Sequence, residues 1–244
     1  MNTFLGYIFT PLFHLYYVLL LVIFHPFQAG ARHLFGDQPR RQVVDFVNHL
    51  LVLGLGIMGA RYKYKGLEKL PIGRPIIIVS NHQSLYDIPA IVHAFKKYYP
   101  KFISKKELSK NIPTVSYNLK YGKSALIDRS NGGQAIKEIF KLGRLIEQHN
   151  YAACIFPEGT RSKTGKVRKF QPAGLSTLVR AAPSAVIVPF VIDGHSRMMY
   201  KGMFPMKFGQ KITYTALDPI EPKGRQIEKL ITEIETLIKQ NLGQ

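Results

Sequence analysis

Residues 4–24 read FLGYIFTPLFHLYYVLLLVIF, 21 residues without an aspartate, glutamate, lysine or arginine. As a helix, that length matches the ~30 Å hydrocarbon core of a bilayer, and a helix that is apolar all round has to be surrounded by something apolar. Membrane association is therefore the first expectation. A cleaved secretory signal fits poorly. Ala29, Gly30 and Ala31 follow the run, but no basic residue precedes it, and Arg32, Arg40 and Arg41 come after it. If the segment spans, the positive-inside rule puts Arg32 and everything beyond it on the cytoplasmic side. The alternative is shallow insertion. Pro11 interrupts the run, and the apolar residues 43–58 carry Asp45, Asn48 and His49, as in a helix lying at an interface. Residues 1–60 thus read as a two-helix membrane-associated element and residues 61–244 as a folded α/β domain.

Composition narrows the partners. The chain has 34 Lys+Arg against 15 Asp+Glu, a formal charge of +19, with 46% hydrophobic residues. That apolar content excludes a disordered polycation, and the charge calls for an anionic partner, either nucleic acid or an anionic membrane surface. A nucleic-acid binder has no use for the apolar segment, and no zinc-finger, RRM-like or helix-turn-helix signal is evident. Cys154 is the single cysteine, so no intramolecular disulfide can form, and no Cys/His cluster has zinc-ligand spacing. These features favour a reducing, cytosol-facing compartment with no metal.

Beyond Arg61, β-branched runs alternate with amphipathic stretches. Residues 75–80, 152–157 and 185–192 read as clear strands, and 101–104, 124–128 and 211–215 as shorter ones. Between them, 134–149 sets Ile136, Ile139, Phe140 and Ile146 on one helical face, 174–182 is a shorter helix, and 227–242 repeats apolar residues at helical spacing. The alternation implies a mostly parallel or mixed sheet covered by helices on both faces.

In such sheets, ligands gather at the carboxyl ends of strands. The first clear strand runs into Asn81-His82-Gln83-Ser84-Leu85-Tyr86-Asp87, where Asp87 can fold back on the far ring nitrogen of His82 and stabilise its imidazolium. A capping box between Ser84 and Asp87 is the plainer explanation of the same spacing, and the two are compatible. The second run is Phe156-Pro157-Glu158-Gly159-Thr160-Arg161-Ser162: Gly159 allows close backbone approach, Thr160 offers a hydroxyl, and Arg161 a fork for phosphate. A solvated turn with Arg161 paired to Glu158 is the alternative there. Ile127-Asp128-Arg129 is a third strand end. From 96 to 129, nine basic residues face only Glu107 and Asp128, which predicts a positive side.

Together, NHQSLYD and FPEGTRS resemble the glycerophospholipid acyltransferases, specifically the bacterial 1-acyl-glycerol-3-phosphate acyltransferases, in motif order over residues 75–192. Asn81, His82, Ser84 and Asp87 match the first block, 156–162 match the third at all seven positions, and Val186, Ile187, Val188 and Pro189 look like the fourth. The second block departs from the pattern: Ile127, Asp128 and Arg129 agree, but Lys123 stands where a glycine is usual; a family-like basic stretch also stands at Lys105-Lys106-Glu107-Leu108, but its Ile112-Pro113 leads into Thr114-Val115-Ser116 in place of the usual aromatic-glycine pair. The resemblance implies that the sn-2 hydroxyl of a lysophosphatidic acid attacks an acyl-CoA or acyl-acyl carrier protein thioester to give phosphatidic acid. His82 would be the general base and Asp87 its orienter. Arg129 and Arg161, with Glu158, Gly159 and Thr160, would hold the acceptor phosphate, and Lys105 would contact phosphate or oxyanion. The implied partners are a lysophospholipid, an acyl-CoA or acyl carrier protein co-substrate, and an anionic inner-membrane surface on the cytoplasmic face. No other cofactor, no metal and no nucleic acid is expected. Another lysophospholipid or an aminolipid acceptor is the nearest alternative, and a basic membrane-bound nucleic-acid or anion-binding protein or a His82/Asp87 metal hydrolase the more remote ones.

Overall fold

Seven strands, β1 (Arg61–Lys65), β2 (Ile76–Ser80), β3 (Lys101–Lys105), β4 (Ala125–Ile127), β5 (Ala152–Ile155), β6 (Val186–Asp193) and β7 (Lys211–Ala216), form one sheet in the computed structural model, which describes residues 2–162 and 164–244. The spatial order is β1-β7-β6-β2-β5-β3-β4. Every pairing is parallel except β6 with β7, so the sheet is mixed and mostly parallel. All six expected strands are present. β1 is the addition, because RYKYK offers only Tyr62 and Tyr64 to the core while Arg61, Lys63 and Lys65 keep the sheet edge charged.

Alternation along the central strands divides the core into two layers. Ile76 and Ile78 of β2, Cys154 of β5 and Phe190 of β6 face one side; Ile77, Val79, Ile155 and Val191 face the other. Helices α5 (Gly132–His149), α6 (Pro172–Ala181) and α8 (Ile227–Asn241) cover the second side. The first is covered by α3 (Asp87–Ala94) and by the N-terminal pair α1 (Asn2–Phe35) and α2 (Asp37–Leu53), with a 3₁₀ turn at Gly54–Met58.

The N-terminal pair is built into the domain. α1 is one 34-residue helix that continues through Pro11 and Pro26, longer than the apolar run predicts. Each proline removes a backbone hydrogen bond, but the helix is anchored on both sides of Pro11. A Cβ at Gly6 would lie 2.2 Å from the Met206 carbonyl oxygen, and Phe13 is fully buried in the first core layer. Further along, the Met206 N–H donates to Thr10 Oγ1 (3.0 Å), His14 Nε2 lies 3.1 Å from the Tyr86 hydroxyl, and Thr114 bonds Leu21 O through Oγ1 (2.6 Å) and His25 Nδ1 through its N–H (3.1 Å). Arg32 stacks on Tyr121 of α4 (Val115–Tyr121) at 4.0 Å. The docked face from Gly6 to Arg32 is about 39 Å long at 1.5 Å per residue. The opposite face, with Phe4, Leu12, Leu15, Val18, Val22 and Phe27, is exposed.

Arg40, read from sequence as one of the arginines flanking the apolar run on the cytoplasmic side, is fully buried. It donates to Asp37 Oδ1 (2.7 Å), Asn118 Oδ1 (2.9 Å) and the Tyr99 hydroxyl, tying α2 to α4 and to the approach of β3. Its guanidinium is satisfied by side chains rather than water.

If α1 is part of the core, Phe13→Ala should lower the unfolding free energy by about 3–5 kcal/mol. Urea unfolding in detergent micelles checks this, and a change below about 1 kcal/mol would mean that α1 is not docked.

Candidate active site

Strand order brings the sequence-selected residues to one end of the sheet. β2 lies between β5 and β6, in parallel register with both, and β3 and β4 continue beyond β5. The carboxyl ends of β2, β5, β3 and β4 therefore deliver His82, the 156–162 loop, Lys105 and Arg129 in lateral succession. At ~4.8 Å per strand spacing, the Arg161 loop starts one spacing from β2 and the Arg129 turn three, roughly 14 Å away at the backbone.

The loop after β2 is held from several directions. Asn81 clamps the end of β6: its Nδ2 donates to Ile192 O (2.8 Å) and its Oδ1 accepts from Ile192 N–H (2.9 Å). Gln83 Oε1 accepts from Ser196 N–H at 3.1 Å. His82 Nδ1 is 2.8 Å from Asp87 Oδ2, and its ring stacks on Phe156 with centroids 4.0 Å apart and planes 16° off parallel. With Nδ1 engaged, Nε2 is the nitrogen left for chemistry.

Asp87 is fully buried at the start of α3. Its Oδ2 also accepts the N–H groups of Gln83 (2.7 Å) and Ser84 (2.9 Å), and its Oδ1 accepts the Ser84 hydroxyl (3.1 Å). Half of the expected capping box is thus present. Asp87 takes the Ser84 N–H, but Ser84 Oγ accepts from Tyr86 N–H (3.0 Å), one position short of the usual bond. Burial pushes the Asp87 carboxyl up, but hydrogen bonds from His195 and His82 outweigh it and hold the group well below the usual carboxylate range.

Glu158, expected among the phosphate-binding residues, is turned into the protein. Its Oε1 accepts His82 N–H (2.7 Å) and its Oε2 accepts Arg168 N–H (3.0 Å), so it joins the two loops rather than pairing with Arg161. Ser162 N–H completes the seam by donating to His82 O at 2.8 Å. Burial raises the Glu158 carboxyl, partly offset by these backbone donors. Gly159 has φ +71° with open space where a side chain would stand, and Thr160 and Arg161 are exposed beside it. Lys105 and Arg129 are exposed as well, and among the described residues none of Arg161, Lys105 and Arg129 is paired with a carboxylate. Asp128 turns to Ser130 instead, accepting its N–H and hydroxyl. Lys101, one of the nine basic residues expected on this side, is buried over the Tyr99 ring; burial and the nearby Arg40 push its ammonium down to about 6, so it adds little to the positive face.

Two features escaped the sequence reading. Thr114, where an aromatic-glycine pair is usual, takes φ +62°, a conformation costly for a β-branched residue and pinned by its two hydrogen bonds to α1. His195, from α7 (His195–Met198), reaches the inner side of Asp87 with Nδ1 2.5 Å from Oδ1. It follows the β6 strand end as Asp193-Gly194-His195, the one strand end beside β2 whose following residues were not weighed. Among the described residues no cluster of three or more metal-ligating side chains occurs.

Because the Asp87 carboxyl is depressed in the folded protein, its stabilising contribution is fully present above its unfolded value of about 3.9 and is lost as pH falls below it. The stability difference between wild type and Asp87→Asn should therefore be largest at pH ~7 and shrink steadily below pH ~4, as read by urea unfolding at each pH.

The acyltransferase family model matches residues 61–193, from β1 through the end of β6. The 1-acyl-sn-glycerol-3-phosphate acyltransferase of Pseudomonas aeruginosa is 33% identical over 125 residues, covering 51% of this chain and 47% of that protein. The human 1-acyl-sn-glycerol-3-phosphate acyltransferase beta is 30% identical over 138 residues, covering 57% and 48% respectively. The chain spans about half to two thirds of the length of such relatives. Among solved structures, the 1-acyl-sn-glycerophosphate acyltransferase PlsC of Thermotoga maritima superposes with a TM-score of 0.80 at 24% identity, over 100% of this chain and 98% of that one, so the fold is shared from end to end. With more than half of its length under the family model, and the His82 and Arg161 loops both within it, this chain belongs to the acyltransferase family.

Proposed function

We propose that the protein transfers a fatty acyl group from an acyl-CoA or acyl-acyl carrier protein thioester to the sn-2 hydroxyl of a 1-acyl-glycerol 3-phosphate, giving phosphatidic acid. The observation that carries this reading is the His82 ring, bonded through Nδ1 to a buried, ionised Asp87 and left with a free Nε2, while the loop after the adjacent strand β5 carries the unpaired Arg161. Family membership and the names of the relatives support it. An alcohol is a weak nucleophile at neutral pH. His82 Nε2 takes the hydroxyl proton as the new C–O bond forms, Asp87 stabilises the imidazolium, and the proton passes to the leaving thiolate as the C–S bond breaks. Arg161, one strand spacing away, is within reach of an acceptor phosphate whose hydroxyl lies at His82; Lys105 and Arg129, farther out, suit the outer phosphate oxygens or the phosphates of the donor. Fixing the phosphate fixes the hydroxyl, an orientation effect separate from proton transfer.

Shallow insertion of α1 on the cytoplasmic face of the inner membrane accompanies this reading. A helix docked along one face for about 39 Å cannot also be surrounded by lipid across a ~30 Å core. Its exposed apolar face suits the outer part of one leaflet, where the lysolipid acceptor resides.

Thiol release by detergent-purified protein with lysophosphatidic acid and an acyl thioester should depend on the acceptor, and His82→Ala should lower kcat by ~10² to 10⁴. Arg161→Ala should raise the acceptor KM about 10-fold or more, the worth of a charge-assisted hydrogen bond. Thiol release without acceptor would indicate a thioesterase, and silence with phospholipid acceptors would favour an aminolipid. Because Cys154 is buried, cysteines introduced at Phe4 and Phe35 would be the reactive thiols. In sealed vesicles both should label from the same side; labelling from opposite sides would mean that α1 spans.

A further inference from the structure

Asp87 has two sides, and the proton transfer just described uses only one. On the inner side lies His195, a second imidazole with no solvent exposure. Its Nδ1 is 2.5 Å from Asp87 Oδ1 and 3.1 Å from Ser84 Oγ, and its Nε2 is 2.9 Å from the hydroxyl of Tyr214 on β7, also fully buried. The four groups form one line from the sheet interior to the reactive nitrogen: Tyr214, His195, Asp87, His82.

Donor and acceptor rules fix most of the protons. Asp87 accepts at both oxygens, so His195 Nδ1 has to carry a proton; otherwise two bare acceptors would face each other at 2.5 Å. Tyr214 decides the other nitrogen. Among the described residues its hydroxyl makes no hydrogen bond except with His195 Nε2. If it accepted there, its own proton would be orphaned in the core, at a cost of about 1–3 kcal/mol. It therefore donates, Nε2 is bare, and His195 is neutral. Burial raises the Tyr214 phenol well above its ordinary value, which keeps that donor in place.

We propose that His195, held by Tyr214 as the neutral Nδ1–H tautomer, is a positioning residue for acyl transfer: it aims the Asp87 carboxylate at His82 and leaves the negative charge undivided for the imidazolium that forms there. The inference rests on the proposed role of His82. A cationic His195 would cancel Asp87, and the developing charge on His82 would face a neutral pair. The other titratable groups facing this line are Tyr86 of the loop, Tyr62 and Tyr64 of β1, Cys154 of β5 and, beyond His82, Glu158. Asp193 and Arg197, beside His195 in the chain, are paired with each other at 2.6 and 3.0 Å.

The test combines ¹⁵N-histidine NMR of the full chain in micelles with kinetics of His195→Leu, His195→Asn, Tyr214→Phe and His82→Ala. At pH ~7 the wild-type spectrum should contain a neutral, Nδ1-protonated imidazole that disappears in His195→Asn. His195→Leu should lose roughly 10- to 100-fold in kcat with the KM of either substrate within about 2-fold, and His195→Asn, whose amide N–H stands in for Nδ1–H, should recover to within ~3-fold of wild type. In Tyr214→Phe the donor that holds this tautomer is gone, so the Nδ1-protonated signal should weaken or disappear and kcat should fall with KM within about 2-fold. This variant tests the idea even if His195→Leu fails to fold. An imidazolium signal from His195 at pH ~7 would overturn the inference. So would wild-type kcat in His195→Leu and Tyr214→Phe with only the unfolding midpoint lowered, a purely structural effect. If those variants are fully active while His82→Ala is inactive, the inference alone fails. If His82→Ala is active, the reading beneath it fails too.

Discussion

A carboxylate removed from water has to be surrounded by donors, and the end of this sheet is organised around that requirement at Asp87. Its five hydrogen-bond donors come from two parts of the chain: the imidazole of His82, two backbone N–H groups and a hydroxyl in the loop after β2, and an imidazole that arrives after β6. Such a group tolerates little rearrangement, because each lost donor would leave part of a buried charge unsolvated. The rigidity of the loop follows from this, and so does the fixed tautomer of its outward-facing histidine. Asn81, Gln83 and Glu158 extend the same logic to the neighbouring strand ends by consuming backbone groups of Ile192, Ser196, His82 and Arg168.

What the sequence disclosed tracks how local each signal is. Strands β2, β5 and β6 are short β-branched or apolar runs buried on both faces, and α5 and α8 carry a clear helical stripe, so all were readable. The contact between His82 and Asp87 was readable because it spans only five positions. β1 was not, since an edge strand buries only two tyrosines and its partner β7 lies about 150 positions later in the chain. His195 was hidden for the same reason: 108 positions separate it from Asp87, and only the adjacency of β2 and β6 joins them. Charge counting misled where tertiary burial intervened, at Arg40 and Lys101, and motif resemblance assigned Glu158 outward when its partners are backbone N–H groups within the protein.

The N-terminal pair answers to packing as well as to hydropathy. Twenty-one uncharged residues are long enough to cross a bilayer, yet α1 gives one whole face to the domain through a close-approach glycine, a buried phenylalanine and a series of polar contacts. Tyr86 receives the contact of His14 and stands next to Asp87 in the chain, so the element that would meet lipid and the loop that would perform chemistry share a wall.

Cys154, on β5 and central in the sheet, has a consequence for chemical self-protection. A protein that handles activated thioesters risks being acylated by them, because thiolates exchange with thioesters readily. The single thiol here lies one residue before Ile155 and two before the Phe156 that stacks on His82, yet it has no solvent exposure, and burial together with the charge of Asp87 pushes it far above the ordinary range. It remains a thiol, without the charge that nucleophilic attack requires. If His82 and Asp87 act as proposed, the anion that would activate the histidine also helps keep the nearby thiol protonated and out of the path of the acyl group.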